Sequence, residues 1–314
     1  MLLYDPFDGL PLAHFAFGGR TELNVQEAIA KAETLIEALG YIQQYLDKII
    51  VVKIGGSIMD DEQALTDMLT DVVFMNTVGM RPVIVHGGGK AISSAMEQRG
   101  LEVQFVQGRR YTDQRTLTVV EHVLCSEINN QLVTIIERLG SNAMGLHTLS
   151  SCVLLGKKLF LEEEGRTIDL GFVGQVTGVN SKLIELLCQA DTIPVIAPLA
   201  IDKAGSKLNC NADTAAGEVA AALKAEKLVV VSDTHGIRRD VKDADSMIEQ
   251  LNESEILKMI ASGTISAGML PKVDACLRVI SAGVSRAHII DGRFHHSLLL
   301  EIFSHSGVGT LIQK

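Results

Sequence analysis

No Cys-x-x-Cys pair occurs among the five cysteines, Cys125, Cys152, Cys188, Cys210 and Cys276. Their odd number and wide spacing leave no zinc clamp, and they read as reduced, mostly buried thiols. Basic residues are outnumbered, 28 Lys and Arg against 38 Asp and Glu, for a net charge of −10. Nucleic-acid binding draws on counterion release at a basic surface, and no basic stripe is visible, so no nucleic-acid partner is expected. No segment reaches the run of about eighteen apolar residues that a membrane helix needs. The opening "MLLYDPFDGL" carries aspartates and a proline where a secretory leader would place positive charge and an unbroken apolar run. No membrane partner and a cytoplasmic location are therefore expected.

Common catalytic signatures are missing too. "GGGKA" lacks the upstream glycine and the hydroxyl after lysine of a Walker A loop, and neither glycine cluster completes G-x-G-x-x-G. There is no G-x-S-x-G elbow for a serine nucleophile. The histidines show no His-x-x-x-His spacing, and "FHHS", 294–297, reads as a surface turn, so no metal ligands are expected.

What remains is an α/β pattern. A chain of 314 residues can hold one large α/β domain or two closely joined lobes. β-branched runs alternate with helical periodicity, which points to parallel βαβ units, because parallel strands need a crossover. Strands are predicted at 48–54, 82–86, 192–198, 227–233, "AHIID" and 309–313. Helices are predicted at 60–78, 89–99, Asp113–Leu139, 212–224, 253–262 and 271–283. "CVLLGKKLFL" and "DLGFVGQVTGVN" read as hairpin or meander strands. No linker separates the halves. Ahead of the first strand, Val25, Ile29, Ala32, Ile36, Leu39 and Leu46 recur at helical steps behind an Asn24 cap. That helix either packs on another subunit or folds back on its own domain.

Two stretches share a shape. "IIVVKIGGS", 49–57, and "RPVIVHGGGK", 81–90, each run from β-branched residues into bare glycine backbone. Ligands of open α/β sheets gather at the carboxyl ends of strands, and glycine N–H groups at a helix start can hold an anion without side chains. Tight βα turns are the plainer reading. Lys53 sits inside an apolar strand and must aim its ammonium at something, unless it snorkels from an edge. "NCNADTAAGEV" places Asn209, Asn211 and Asp213 ahead of an alanine-rich helix, where an N-cap explains one polar residue and not three. Arg110 in "GRRYTD" can meet a carboxylate bidentately, with Arg109 competing for that role. Lys272 alone reads as a solvated helix residue.

Taken in order, "KIGGS", "VHGGGKAI", "GRRYTD", "DLGFVGQV", "NCNADTAA", "AEKLVVVSD" and "ISAGMLPKV" resemble the acetylglutamate kinases of the amino acid kinase family. The match covers roughly residues 48–314. The resemblance implies an open three-layer αβα sandwich with a central, mainly parallel sheet and two lobes. A lobe at 48–224 would hold the acyl amino acid and dimerise, a lobe at 225–314 would hold ATP, and the extension 1–47 would carry an oligomerising helix. It implies transfer of the γ-phosphoryl group of ATP, with Mg2+ carried by the nucleotide, to the side-chain carboxylate of N-acetyl-L-glutamate in arginine biosynthesis. By motif, Lys53 and Lys272 match the lysines that neutralise the phosphoryl in flight, Asp213 the aspartate orienting both, and Gly55 and Gly56 the turn near the γ-phosphate. Gly88, Gly89, Arg110 and Asn209 match acetylglutamate-holding positions, with Asn211 beside them. "GRRYTD" departs from a family pattern closer to G-L-R-V-T-D and is also similar to acetylaminoadipate kinases, so N-acetyl-L-aminoadipate is the alternative acceptor. Carbamate kinase and a non-catalytic arginine or nucleotide sensor are more distant rivals. The N-terminal helix and the tail "FHHSLLLEIFSHSGVGTLI" resemble arginine-sensitive members, which implies a hexamer built as a trimer of dimers and inhibition by arginine.

Overall fold

The computed structural model describes residues 25–163, 165–240, 243, 246–265, 268–304 and 307–314. The Asn24 cap expected from sequence lies outside them. Helix α1 (Val25–Tyr45) leads into strand β1 (Ile49–Ile54), then the short α2 (Gly56–Met59) and α3 (Glu62–Thr77), which begins where Asp61 accepts from the N–H groups of Gln63 and Ala64. Strand β2 (Arg81–His86), α4 (Gly89–Gln98) and a two-stranded ribbon, β3 (Phe105–Val106) with β4 (Arg109–Arg110), follow.

The sequence predicts one uninterrupted helix from Asp113 to Leu139. The structure instead places a π-helical stretch, His122–Asn129, between α5 (Gln114–Glu121) and α6 (Asn130–Arg138). Wide turns of this kind re-aim side chains that a regular helix would point elsewhere.

After β5 (Asn142–Leu146), the expected hairpin appears as β6 (Leu154–Glu163) with β7 (Arg166–Val179). Next come α7 (Ser181–Gln189), β8 (Thr192–Ile196), β9 (Leu199–Ile201) and β10 (Lys207–Cys210); β6, β7, β9 and β10 close into a small barrel. The remainder is α8 (Ala212–Ala222), β11 (Lys227–Ser232), β12 (Gln250–Asn252), α9 (Glu253–Ala261), α10 (Leu270–Ser281), β13 (Arg286–Asp291), α11 (Ser297–Ile302) and β14 (Thr310–Gln313).

The main sheet runs β12-β14-β13-β11-β1-β2-β8-β5, parallel throughout except at β13–β14. Successive side chains of a strand face opposite sides, and helices cover both. Ile50, Val52 and Ile54 of β1 join the core layer of α3 and the α5–α6 rod. Val51 joins the opposite layer, with α8 and α10. The result is the three-layer αβα sandwich. Lys53 shares the Val51 face, so its side chain is directed toward α8. That helix packs closely on α10: a Cβ on Gly217 would lie 3.4 Å from the Ala275 carbonyl oxygen. Along α1, Val25, Ile29, Leu35, Ile36 and Leu39 are exposed while Tyr45 is buried, so the helix touches its own domain only near its end. Among the described residues no helix is long and apolar enough to cross a membrane.

Candidate active site

The two glycine turns face one another. Strands β1 and β2 are neighbours in register, Ile54 beside His86, so both chains leave the sheet at its carboxyl edge. A Cβ on Gly56 would lie 3.5 Å from the Gly89 nitrogen, and one on Gly87 would lie 3.5 Å from the Gly56 nitrogen. Gly55 is tied to the next strand, its N–H donating to the Val231 carbonyl at 3.1 Å. The N–H groups of Gly56, Gly88 and Gly89 donate to no acceptor among the described residues. They open on a cavity of about 250 Å³ bordered by Gly56, Gly87, Gly88 and Gly89. Such converging donors at helix starts form an anion site.

Charge lies on the same cavity. Lys53 Nζ stands 2.8 Å from Asp213 Oδ1, both side chains being buried. The contact lies off the hydrogen-bonding direction, leaving that oxygen without an aligned donor. The ammonium thus keeps donors for a further acceptor. Asp213 is in the first turn of α8, whose cap is Asn211: its side chain accepts from the Thr214 N–H at 2.9 Å.

Arg110 is buried and its Nη2 donates to the Gly89 carbonyl and to Ser93 Oγ, each at 2.8 Å, while its guanidinium lies 4.7 Å from the centre of the Phe105 ring. No carboxylate among the described residues pairs with it. Burial pulls its pKa below the usual arginine value, and does the same at Arg109. Both arginines line the cavity. Asn209 Nδ2 donates to Thr112 Oγ1 at 3.1 Å, and Thr112 is held by backbone bonds to Leu170 and Phe172. The lining thiol, Cys210, is pushed up to about 12 by burial, which makes it a protonated wall rather than a nucleophile.

The structure therefore brings Lys53, Gly55, Gly56, Gly88, Gly89, Arg110, Asn209, Asn211 and Asp213 together. Lys272 stands apart. Its Nζ donates to the Gly268 carbonyl at 3.2 Å within the start of α10, so Asp213 meets one of the two lysines expected around it. Sequence reading missed the apolar walls, Ile92, Phe105, Leu124, Val173 and Pro198, because an apolar residue reads the same in a core or a cavity. A second cavity, about 260 Å³, lies beyond the end of β11 and is bordered by Asp233, Thr234, His235, Ile265, Met269 and Arg293. The expected turn at "FHHS" is present, with His295 on Asp67 and His296 Nδ1 2.6 Å from Asp71 Oδ1.

The amino acid kinase family model matches residues 48–291. The acetylglutamate kinase of Methanothrix thermoacetophila is 42% identical over 285 residues, covering 90% of this chain and 99% of that protein. That of Caldanaerobacter subterraneus is 45% identical over 288 residues, covering 92% and 95%. Among solved structures, N-acetylglutamate synthase from Neisseria gonorrhoeae complexed with coenzyme A and N-acetyl-glutamate superimposes with a TM-score of 0.80 at 22% identity. That match covers 90% of this chain and 63% of the synthase chain. Carbamate kinase from Giardia lamblia bound to AMP-PNP matches with a TM-score of 0.62 at 15% identity, covering 85% of this chain and 99% of that one. At these identities the two structures speak for the fold.

Proposed function

The chain belongs to the amino acid kinase family, and from that premise we propose that it is an acetylglutamate kinase, transferring the γ-phosphoryl group of MgATP to the side-chain carboxylate of N-acetyl-L-glutamate. The observation that carries the reading is a cavity rich in anion donors and poor in nucleophiles. A carboxylate acceptor is ionised at neutral pH and needs no general base, so positioning and charge stabilisation carry the reaction. Arg110, with no carboxylate partner, takes the α-carboxylate of the acceptor. The open N–H groups of Gly88 and Gly89, with Asn209, hold the rest. Lys53, kept in place by Asp213, neutralises the phosphoryl as it passes the Gly55–Gly56 turn.

The cavity beyond β11 suits the nucleotide, since β11 and β1 are paired neighbours and Gly55 bonds to Val231. Mg2+ arrives with the phosphates. In this reading residues 48–224 form the acyl lobe and 225–314 the nucleotide lobe. Lys272 joins the site once bound nucleotide draws its ammonium from the Gly268 carbonyl. A second reading, phosphorylation of N-acetyl-L-aminoadipate, one methylene longer and of the same charge, rests on the "GRRYTD" sequence around Arg110.

The enzyme works in the cytoplasm and is inhibited by arginine. A separate cavity of about 400 Å³ lies between Tyr41 and Tyr45 of α1, Lys227, His288, Glu301 and the last strand. Glu301, bound to His288, offers a carboxylate to a guanidinium, and Lys227, lowered to about 8 by burial, lies 4.6 Å from the Tyr45 ring centre. The exposed apolar side of α1 suits a second copy, in keeping with a trimer of dimers. Turnover with N-acetyl-L-glutamate, followed by trapping the acyl phosphate with hydroxylamine, tests the activity. An enzyme indifferent to millimolar arginine contradicts the regulation.

A further inference from the structure

His86 ends β2 immediately before the three glycines and is wholly buried. Asn129, at the end of the π-helical stretch, is equally buried. The Asn129 side-chain nitrogen lies 2.9 Å from the Val195 carbonyl oxygen and 3.1 Å from His86 Nε2. A carbonyl only accepts, so the amide must present its nitrogen there; the flipped amide would set oxygen against oxygen. Both amide protons are then used, one on Val195 and one on His86 Nε2. Nε2 accepts, and a neutral imidazole with an accepting Nε2 carries its proton on Nδ1. Nδ1 lies 2.9 Å from the Gly87 carbonyl oxygen, to which it donates.

Gly87 is held from its other side as well, its N–H donating to the Ile54 carbonyl at 2.9 Å. The residue is clamped between β1 and His86, and the next two N–H groups, of Gly88 and Gly89, are the open donors of the cavity. The same π-helical stretch lays Leu124 and Ile128 over Gly88, where a Cβ would come within 2.7 Å of both side chains.

We propose that His86 is a positioning residue for phosphoryl transfer: its Nδ1–H fixes the Gly87 carbonyl and so aims the Gly88 and Gly89 N–H groups at the anionic acceptor, while Asn129 dictates the tautomer. The proposal rests on the acceptor assignment given above for this cavity. His86→Asn keeps a donor near the Nδ1 position, whereas His86→Gln places its amide near Nε2 and loses Gly87.

Wild-type turnover on N-acetyl-L-glutamate is measured first; its absence defeats the functional reading and leaves the tautomer measurement standing. His86→Gln is expected to raise KM for the acyl amino acid on the order of tenfold, the worth of one hydrogen bond, with KM for ATP unmoved. His86→Asn is expected to recover most of that loss. Equal loss in both variants, or KM values for both substrates rising together, overturns the proposal. Should neither variant fold, 15N–1H correlation of the imidazole in the wild-type protein decides: a proton on Nδ1 supports the clamp, and a proton on Nε2 overturns it.

Discussion

Lys53 shows how one residue announces a site. An ammonium within a buried strand is unfavourable unless paired. Its partner, Asp213, takes up the charge without an aligned hydrogen bond, which leaves the ammonium able to serve an incoming phosphoryl. Lys53→Ala is expected to lower kcat by about 10²-fold or more, with a milder change in substrate KM. Near-normal kcat in that variant removes Lys53 from the mechanism. His86 carries a pH dependence of its own. Burial lowers its pKa from 6.5 to about 4, with the nearby His147 adding to the decrease. Between those values the unfolded chain binds a proton that the folded protein does not, so stability rises with pH. The His86 contribution is fully present above about 6.5 and is lost as pH falls through about 4, a change of about 3 kcal/mol. Urea unfolding from pH 7 to pH 4 should therefore show a steeper loss for wild type than for His86→Asn. Parallel curves contradict it.

At the scale of elements, the site is assembled from strand ends and the contacts that tie them. Gly171 in β7 has φ +76°, and a Cβ there would lie 2.2 Å from the Thr112 carbonyl oxygen, between the backbone bonds that join Thr112 to Leu170 and Phe172. Thr112 in turn accepts from Asn209. Gly171→Ala is expected to destabilise the fold by about 1–3 kcal/mol and to raise KM for the acyl substrate, since it displaces this junction. An unchanged melting temperature contradicts it.

The same scale explains what the sequence made legible. β1, β2, β8, β11 and β13 read as mainly apolar runs because both sheet faces are covered, and the glycine turns, Lys53 and Asp213 stand out because each violates ordinary packing. β5, β10, β12 and α11 are short or partly exposed and leave weak periodicity, and α7, although amphipathic, spans only nine residues. The π-helical stretch is invisible because each of its residues also suits an α-helix. Lys272 is named through family resemblance alone, and its bond to the Gly268 carbonyl keeps it apart from the cavity.

Across the whole molecule, one mainly parallel sheet sets the first cavity at the ends of β1 and β2 and the second beyond β11, the arrangement on which the proposed meeting of donor and acceptor over Gly55 and Lys53 rests. The exposed apolar residues of α1 reach beyond this domain. In sedimentation, the protein is expected to exceed monomer mass, and Ile36→Glu, at a residue 70% exposed, is expected to shrink the assembly without lowering the melting temperature. A monomeric wild type contradicts the role given to α1. Acyl-phosphate formation is read by ATP turnover with N-acetyl-L-glutamate beside N-acetyl-L-aminoadipate, trapping the product with hydroxylamine. A hydroxamate formed preferentially from the glutamate compound is the expected result; turnover on neither acceptor, or a preference for aminoadipate, contradicts an acetylglutamate kinase.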